Sequence, residues 1–68
     1  MQLRDYLLHT RNKDETVYDR FRRFGKTLGV SMDCVRKWVY QQRHINDAMK
    51  WKIVDVTGGK VKVEDMMW

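Results

Sequence analysis

The stretch FRRFGKTLGVSMDCVRKWVY, residues 21 to 40, constrains the fold more than any other part of the chain. Two short helices crossing at a tight turn need little bulk at the crossing, a turn residue that tolerates positive φ, and apolar anchors on the second helix. Gly25, Gly29, Val35 and Trp38 meet those needs in that order, which is the spacing of a helix-turn-helix. Around them the side chains left pointing outward are mostly cationic or hydrogen-bonding: Arg22, Arg23, Lys26, Ser31, Arg36, Lys37, Tyr40, Gln41 and Gln42. A phosphate backbone attracts such a surface.

The charge is concentrated in the same place. The chain carries net +5, yet residues 20 to 43 alone hold seven cations (Arg20, Arg22, Arg23, Lys26, Arg36, Lys37, Arg43) against one acid, Asp33. The remainder is therefore slightly acidic, and a positive field confined to one segment is the footprint of a nucleic-acid surface. A solvated helix face has the same charge pattern, and the motif spacing favours the first reading.

Helical periodicity organises the rest. Leu3, Leu7 and Leu8, with Tyr6, predict a first helix over residues 2 to 10, followed by the polar stretch Thr10 to Lys13. Asp14 or Thr16 can cap a second helix whose stripe is Val17, Phe21, Phe24 and Leu28. Gly29 stops it, and Ser31 is placed to cap a third helix with Val35 and Trp38 inward and Cys34 and Val39 at the flanks. On the opposite side stand Met32, Asp33, Arg36, Lys37 and Tyr40. Gln41 to His44 form a polar linker. Ile45, Met49, Ile53 and Val56 then recur at helical spacing up to Gly58-Gly59, with Asn46 or Asp47 as cap. A β-hairpin competes there, because Val54, Val56, Val61 and Val63 alternate with polar residues around Thr57-Gly58-Gly59.

With 68 residues, 43% of them hydrophobic, one small domain is expected, close to the lower size limit for a self-sufficient core. One Cys excludes an internal disulfide, and two His with one Cys fall short of a structural zinc site unless carboxylates join them. No apolar run spans a bilayer, and MQLRDYLLHTR is interrupted by charges where a signal peptide would be apolar, so cytoplasmic residence is expected. There is no nucleophile with a base, no Gly-rich phosphate loop and no carboxylate pair whose setting in the sequence gives reason for it to be perturbed, so neither enzymatic activity nor a cofactor is expected. Cys34 reads as a small helix residue, and His9 and His44 lie far apart.

Residues 25 to 40 resemble the Cro/cI-type helix-turn-helix repressors of temperate phages. LGVSMDCVRKWVYQQRHI followed by TGGKVKVEDMMW is similar to the YdaS-type Cro-like branch, whose members tend to read LGVSxxxVxxWxxxxRxI and close with TGGxVxxEDL. The matching positions are Leu28, Gly29, Val30, Ser31, Val35, Trp38, Arg43, Ile45, Thr57, Gly58, Gly59, Val61, Glu64 and Asp65, within residues 21 to 66. The resemblance implies an all-α, lambda-repressor-like helix-turn-helix domain of four to five short helices in which Gly58-Gly59 ends the fourth. Other Cro-like proteins have strands in that region, so an α+β fold with a C-terminal hairpin is the alternative. The family usually has Ala where Gly25 stands, and Gln or Ser at the positions of Met32, Asp33 and Arg36, so no operator sequence carries over.

The residues themselves assign the contacts. Arg36 suits guanine, since a guanidinium donates twice to O6 and N7; Lys37 suits guanine or phosphate equally. Met32 either meets a thymine methyl or packs internally, and Asp33 either accepts from a cytosine amino group or favours the positive end of the helix. Arg22, Arg23, Lys26, Ser31, Tyr40, Gln41, Gln42, Arg43 and His44 are candidates for DNA-backbone contacts. Trp51, Val54, Met66, Met67 and Trp68 complete the core or, as favoured here, form a homodimer interface. Two copies about a two-fold axis read half-sites about 34 Å apart. The expectation is a sequence-specific repressor of a palindromic phage or prophage operator in double-stranded DNA. An antitoxin-type autoregulator and a helical protein-protein adaptor with a basic face are the alternatives.

Overall fold

The boundaries of the three longest helices follow from side-chain oxygens at one end and backbone reversals at the other. The computed structural model describes residues 1–67, and all regular elements among them are helical: α1 (Leu3–His9), α2 (Val17–Leu28), α3 (Met32–Val39), α4 (Asp47–Val56) and a 3₁₀ turn (Val63–Met66). Thr16 caps α2 through a reciprocal box, its hydroxyl accepting from the Asp19 amide at 3.1 Å while the Asp19 carboxylate accepts from the Thr16 amide at 3.3 Å. Ser31 Oγ accepts from the Cys34 amide at 3.2 Å to start α3, and Asn46 Oδ1 accepts from the Met49 amide at 2.8 Å to start α4.

The C-termini of α2, α3 and α4 end in one shared pattern. A left-handed residue follows the last helical turn, and two amides reach back to orphan carbonyls. After α2 these are Gly29 to Lys26 (3.4 Å) and Val30 to Gly25 (2.8 Å); after α3, Gln41 to Trp38 (3.1 Å) and Gln42 to Lys37 (2.8 Å); after α4, Gly58 to Asp55 (3.1 Å) and Gly59 to Val54 (2.9 Å). The third reversal excludes the alternative hairpin: Val54 and Val56 belong to a helix, and the described residues form no strand.

The core draws Leu3 and Leu7 from α1, Phe21, Phe24 and Leu28 from α2, Val35, Trp38 and Val39 from α3, Ile53 from α4, and Ile45, Val61 and Met66 from the segments around it. α2 against α3 is the closest-knit pairing. At their crossing, a Cβ on Gly25 would stand 2.7 Å from the Val30 carbonyl oxygen and 3.2 Å from that of Ser31, so the backbone approach here suits a residue without a side chain. Lys52 of α4 reaches across to donate to the Leu28 carbonyl at 3.0 Å, placing a cation at the negative end of α2.

Three expectations are corrected. Leu8 turns outward, because α1 is one seven-residue helix whose buried face is filled by Leu3 and Leu7, with Tyr6 packed at 6.2 Å on the ring of Phe24. Met66, expected at a subunit contact, is 1% exposed, because the 3₁₀ turn folds it into the core. Arg20, counted with the cationic surface, is 5% exposed. Its Nε and Nη2 donate to Thr10 Oγ1 at 3.0 and 2.8 Å, and its guanidinium lies 5.8 and 5.5 Å from the ring centres of Tyr6 and Phe24. Burial lowers its pKa, yet the group stays charged, held by hydrogen bonds and by the ring faces.

Arg23 ties down the segment between α1 and α2. Its Nε and Nη2 donate to the two carboxylate oxygens of Glu15, each at 2.9 Å, and Nη2 also reaches the Thr10 carbonyl at 3.2 Å. The Arg23 guanidinium brings the Glu15 carboxyl down to about 2 from an ordinary 4.5. A depressed carboxyl stabilises the fold above its unfolded pKa and loses that contribution as pH falls towards the folded value. Urea midpoints are therefore expected to decline as pH drops from about 4.5 to about 2, and Glu15→Gln is expected to flatten that decline. Gly25→Ala is expected to destabilise by about 1 to 3 kcal/mol in urea unfolding, since overpacking against backbone outweighs the better helix propensity of Ala, about 1 kcal/mol.

Candidate nucleic-acid interface

The outward face of α3 is built by its own inward anchors. Val35 and Trp38 are 0% and 4% exposed, so Asp33, Arg36, Lys37 and Tyr40 are turned towards solvent along a helix that is fixed by its core side and capped by Ser31. Arg36 and Lys37 are both accessible, with side chains 37% and 43% exposed. They share one acid: Arg36 Nε donates to Asp33 Oδ1 at 3.1 Å, Nη2 donates to the same oxygen, and Lys37 Nζ lies 3.4 Å from Oδ2. The two cations draw the Asp33 carboxyl below its ordinary range, and Asp33 raises the pKa of Arg36 in turn.

The other expected contact residues divide. Lys26, Gln41, Gln42, Arg43 and His44 are exposed, and Tyr40 is 49% exposed. Arg22 is exposed and pairs with Asp19 at 3.2 Å, a contact that water and salt weaken. Ser31 spends its hydroxyl on the helix cap. Met32 is half-buried and packs against the core, and Arg23 is already held bidentate by Glu15. Gln41 has φ 58°, a left-handed conformation that glycine or asparagine takes more readily, at the junction where α3 ends beside Tyr40.

The fold adds residues that spacing alone did not show. Tyr18, at the start of α2, is 54% exposed and, with Tyr40, lies near enough to Arg36 to act on its charge. Its signal in the sequence is an aromatic standing off the Val17, Phe21, Phe24 stripe. Gln2, just before α1, and Arg4 and Asp5 within it face Trp38, Tyr40 and Gln41 across a cleft of about 460 Å³. The Trp38 indole Nε1 is buried and has no hydrogen-bond partner among the described residues. Nothing local announces this meeting of α1 with the end of α3, because it depends on how the two pack.

A separate apolar surface lies on α4 and the tail. Trp51 (65% exposed) and Met67 (69%) stand with Val54 and Val63 around a concavity of about 480 Å³, rimmed by Lys62 and Glu64. It gathers three of the residues expected at a subunit contact and adds Val63; Met66 is buried in the core, and Trp68 lies outside the described residues. Among the described residues no three His, Cys, Asp or Glu side chains cluster to hold a metal ion, and no helix is long and apolar enough to cross a membrane. No protein-family model, curated protein or solved structure matches this chain, so the α3 face and the α4 concavity stand on their own geometry.

Proposed function

We propose that the protein binds double-stranded DNA with sequence preference, with α3 in the major groove, and acts as a Cro-like transcriptional repressor of a phage or prophage operator in the host cytoplasm. The observation that carries this reading is the accessible Arg36 and Lys37 on a helix locked from behind by Val35 and Trp38. A guanidinium so placed offers two donors to guanine O6 and N7, and a rigid helix delivers them at a fixed depth. Lys26, Tyr40, Gln41, Gln42, Arg43 and His44 border that face and are suited to the flanking phosphates, which set register without reading bases. Arg22 joins them once its pair with Asp19 exchanges for phosphate. Arg20 and Arg23 do not join them, being committed to the fold.

One eight-residue helix reads few base pairs, so a homodimer is part of the proposal. The concavity at Trp51, Val54, Val63 and Met67 is apolar at its centre and charged at its rim, with Lys62 and Glu64 able to face each other's copies across a two-fold axis.

Selection of duplexes from a random pool tests the reading, and the expected winner is a palindrome. Affinity for that winner is expected to fall at least about tenfold over a modest rise in salt, since phosphate contacts release counterions. Arg36→Ala is expected to weaken it by about 1 to 3 kcal/mol while changing affinity for random DNA much less. Trp51→Glu, at an exposed position, is expected to leave the fold intact, shift sedimentation equilibrium to the monomer and abolish the preference for paired half-sites.

A further inference from the structure

We propose that Asp33 is a positioning residue for base reading: it grips the Nε–Nη2 edge of the Arg36 guanidinium so that the adjoining Nη1–Nη2 edge is left to face outward in one orientation, and it weakens binding to DNA that lacks the matching base. This rests on the DNA-binding reading above and adds a role for an acid on a surface that faces a polyanion.

The geometry is specific about which hydrogens are used. A guanidinium has five N–H groups: one on Nε and two on each terminal nitrogen. Asp33 Oδ1 takes one from Nε and one from Nη2. The second Nη2 hydrogen and both on Nη1 remain, and the outward-pointing pair on Nη1 and Nη2 is the parallel donor set that guanine O6 and N7 accept. An arginine with free torsions loses rotamer freedom when it docks; one already held by its inner edge loses less. The spacing supports the arrangement, because Asp33 stands three residues before Arg36 and four before Lys37, the two separations that bring side chains together on a helix.

Charge supplies the second half. With Asp33 between them, Arg36 and Lys37 present a local charge of net +1 rather than +2. Binding to arbitrary DNA is driven by cations releasing counterions, so an acid on this face weakens it directly. Binding to the correct base recovers the difference through the aligned donor pair. Exposure makes the ion pairs worth little to stability, so the acid is dispensable for folding while it orders the arginine.

The experiment uses the duplex won by selection and a scrambled duplex of equal length and composition, with the parent, Asp33→Ala, Asp33→Asn, Arg36→Ala and the double variant of Asp33→Ala with Arg36→Ala. Asp33→Ala is expected to bind the scrambled duplex more tightly and to lower the ratio of selected to scrambled affinity about fivefold or more, relaxing preference at the same base pair that Arg36→Ala relaxes. In the double variant preference at that pair falls no further. Asp33→Asn, which keeps an acceptor oxygen and the shape of the helix start, is expected to give the same change in weaker form. An unchanged ratio in both Asp33 variants overturns the proposal while leaving DNA binding intact, and so does loss of preference at a different base pair, which would make Asp33 itself the base contact. A parent that selects no duplex overturns the DNA-binding reading and this role with it.

Discussion

The close approach of α2 and α3 at Gly25 is the constraint on which the outward face depends. A helix of eight residues does not hold itself in water, so α3 owes its direction to what lies behind it. Val35 and Trp38 reach the core only if the backbone after Gly29 passes directly under α2, and the Val30 carbonyl lies where a side chain at position 25 would be. The same carbonyl-rich turn is bound back to α2 by the amides of Gly29 and Val30. The absent Cβ at position 25 thus lets α3 approach α2 closely, with Val35 and Trp38 buried and Arg36 and Lys37 on its accessible side.

Charge on this chain has two uses that a net value conceals. Arg20 is an interior group whose stem and planar head fill the space between α1 and α2, partnered by Thr10 and by the faces of Tyr6 and Phe24. Arg23 fastens the segment around Glu15. Both are arginines in the middle of a basic run, and both serve the fold. For a chain this short, whose apolar core is near the practical minimum, two guanidiniums that knit α1 to α2 extend the packed interior by polar means.

Much of this was legible in the residues because it is decided locally. Gly29, Ser31 and Gly58 act through the conformations and hydrogen bonds of their own turns, and each stands where its chemistry predicts. Val35 and Trp38 were readable as anchors because a three-residue step on a helix keeps one face. The segment after residue 50 was ambiguous because it carries both periods: Met49, Ile53 and Val56 repeat as a helix does, while Val54, Val56, Val61 and Val63 alternate as strands do. Its helix has apolar residues on two sides, Ile53 inward and Trp51 outward, which blurs either pattern. The burial of Arg20 and Met66, the exposure of Leu8 and the meeting of Gln2 and Arg4 with Gln41 were not legible, since each depends on the mutual placement of segments distant in sequence.

Neighbouring residues on α4 look in different directions. Trp51 opens onto the apolar concavity, while Lys52 is hydrogen-bonded to the last carbonyl of α2, one residue short of the turn that aims α3. A subunit joined through Trp51 would therefore be braced, through Lys52, against the very corner that orients α3, the helix proposed to meet DNA. The distance between two such helices would then behave as a property of the joint, as the span of a pair of calipers is set at its pivot and not at its tips.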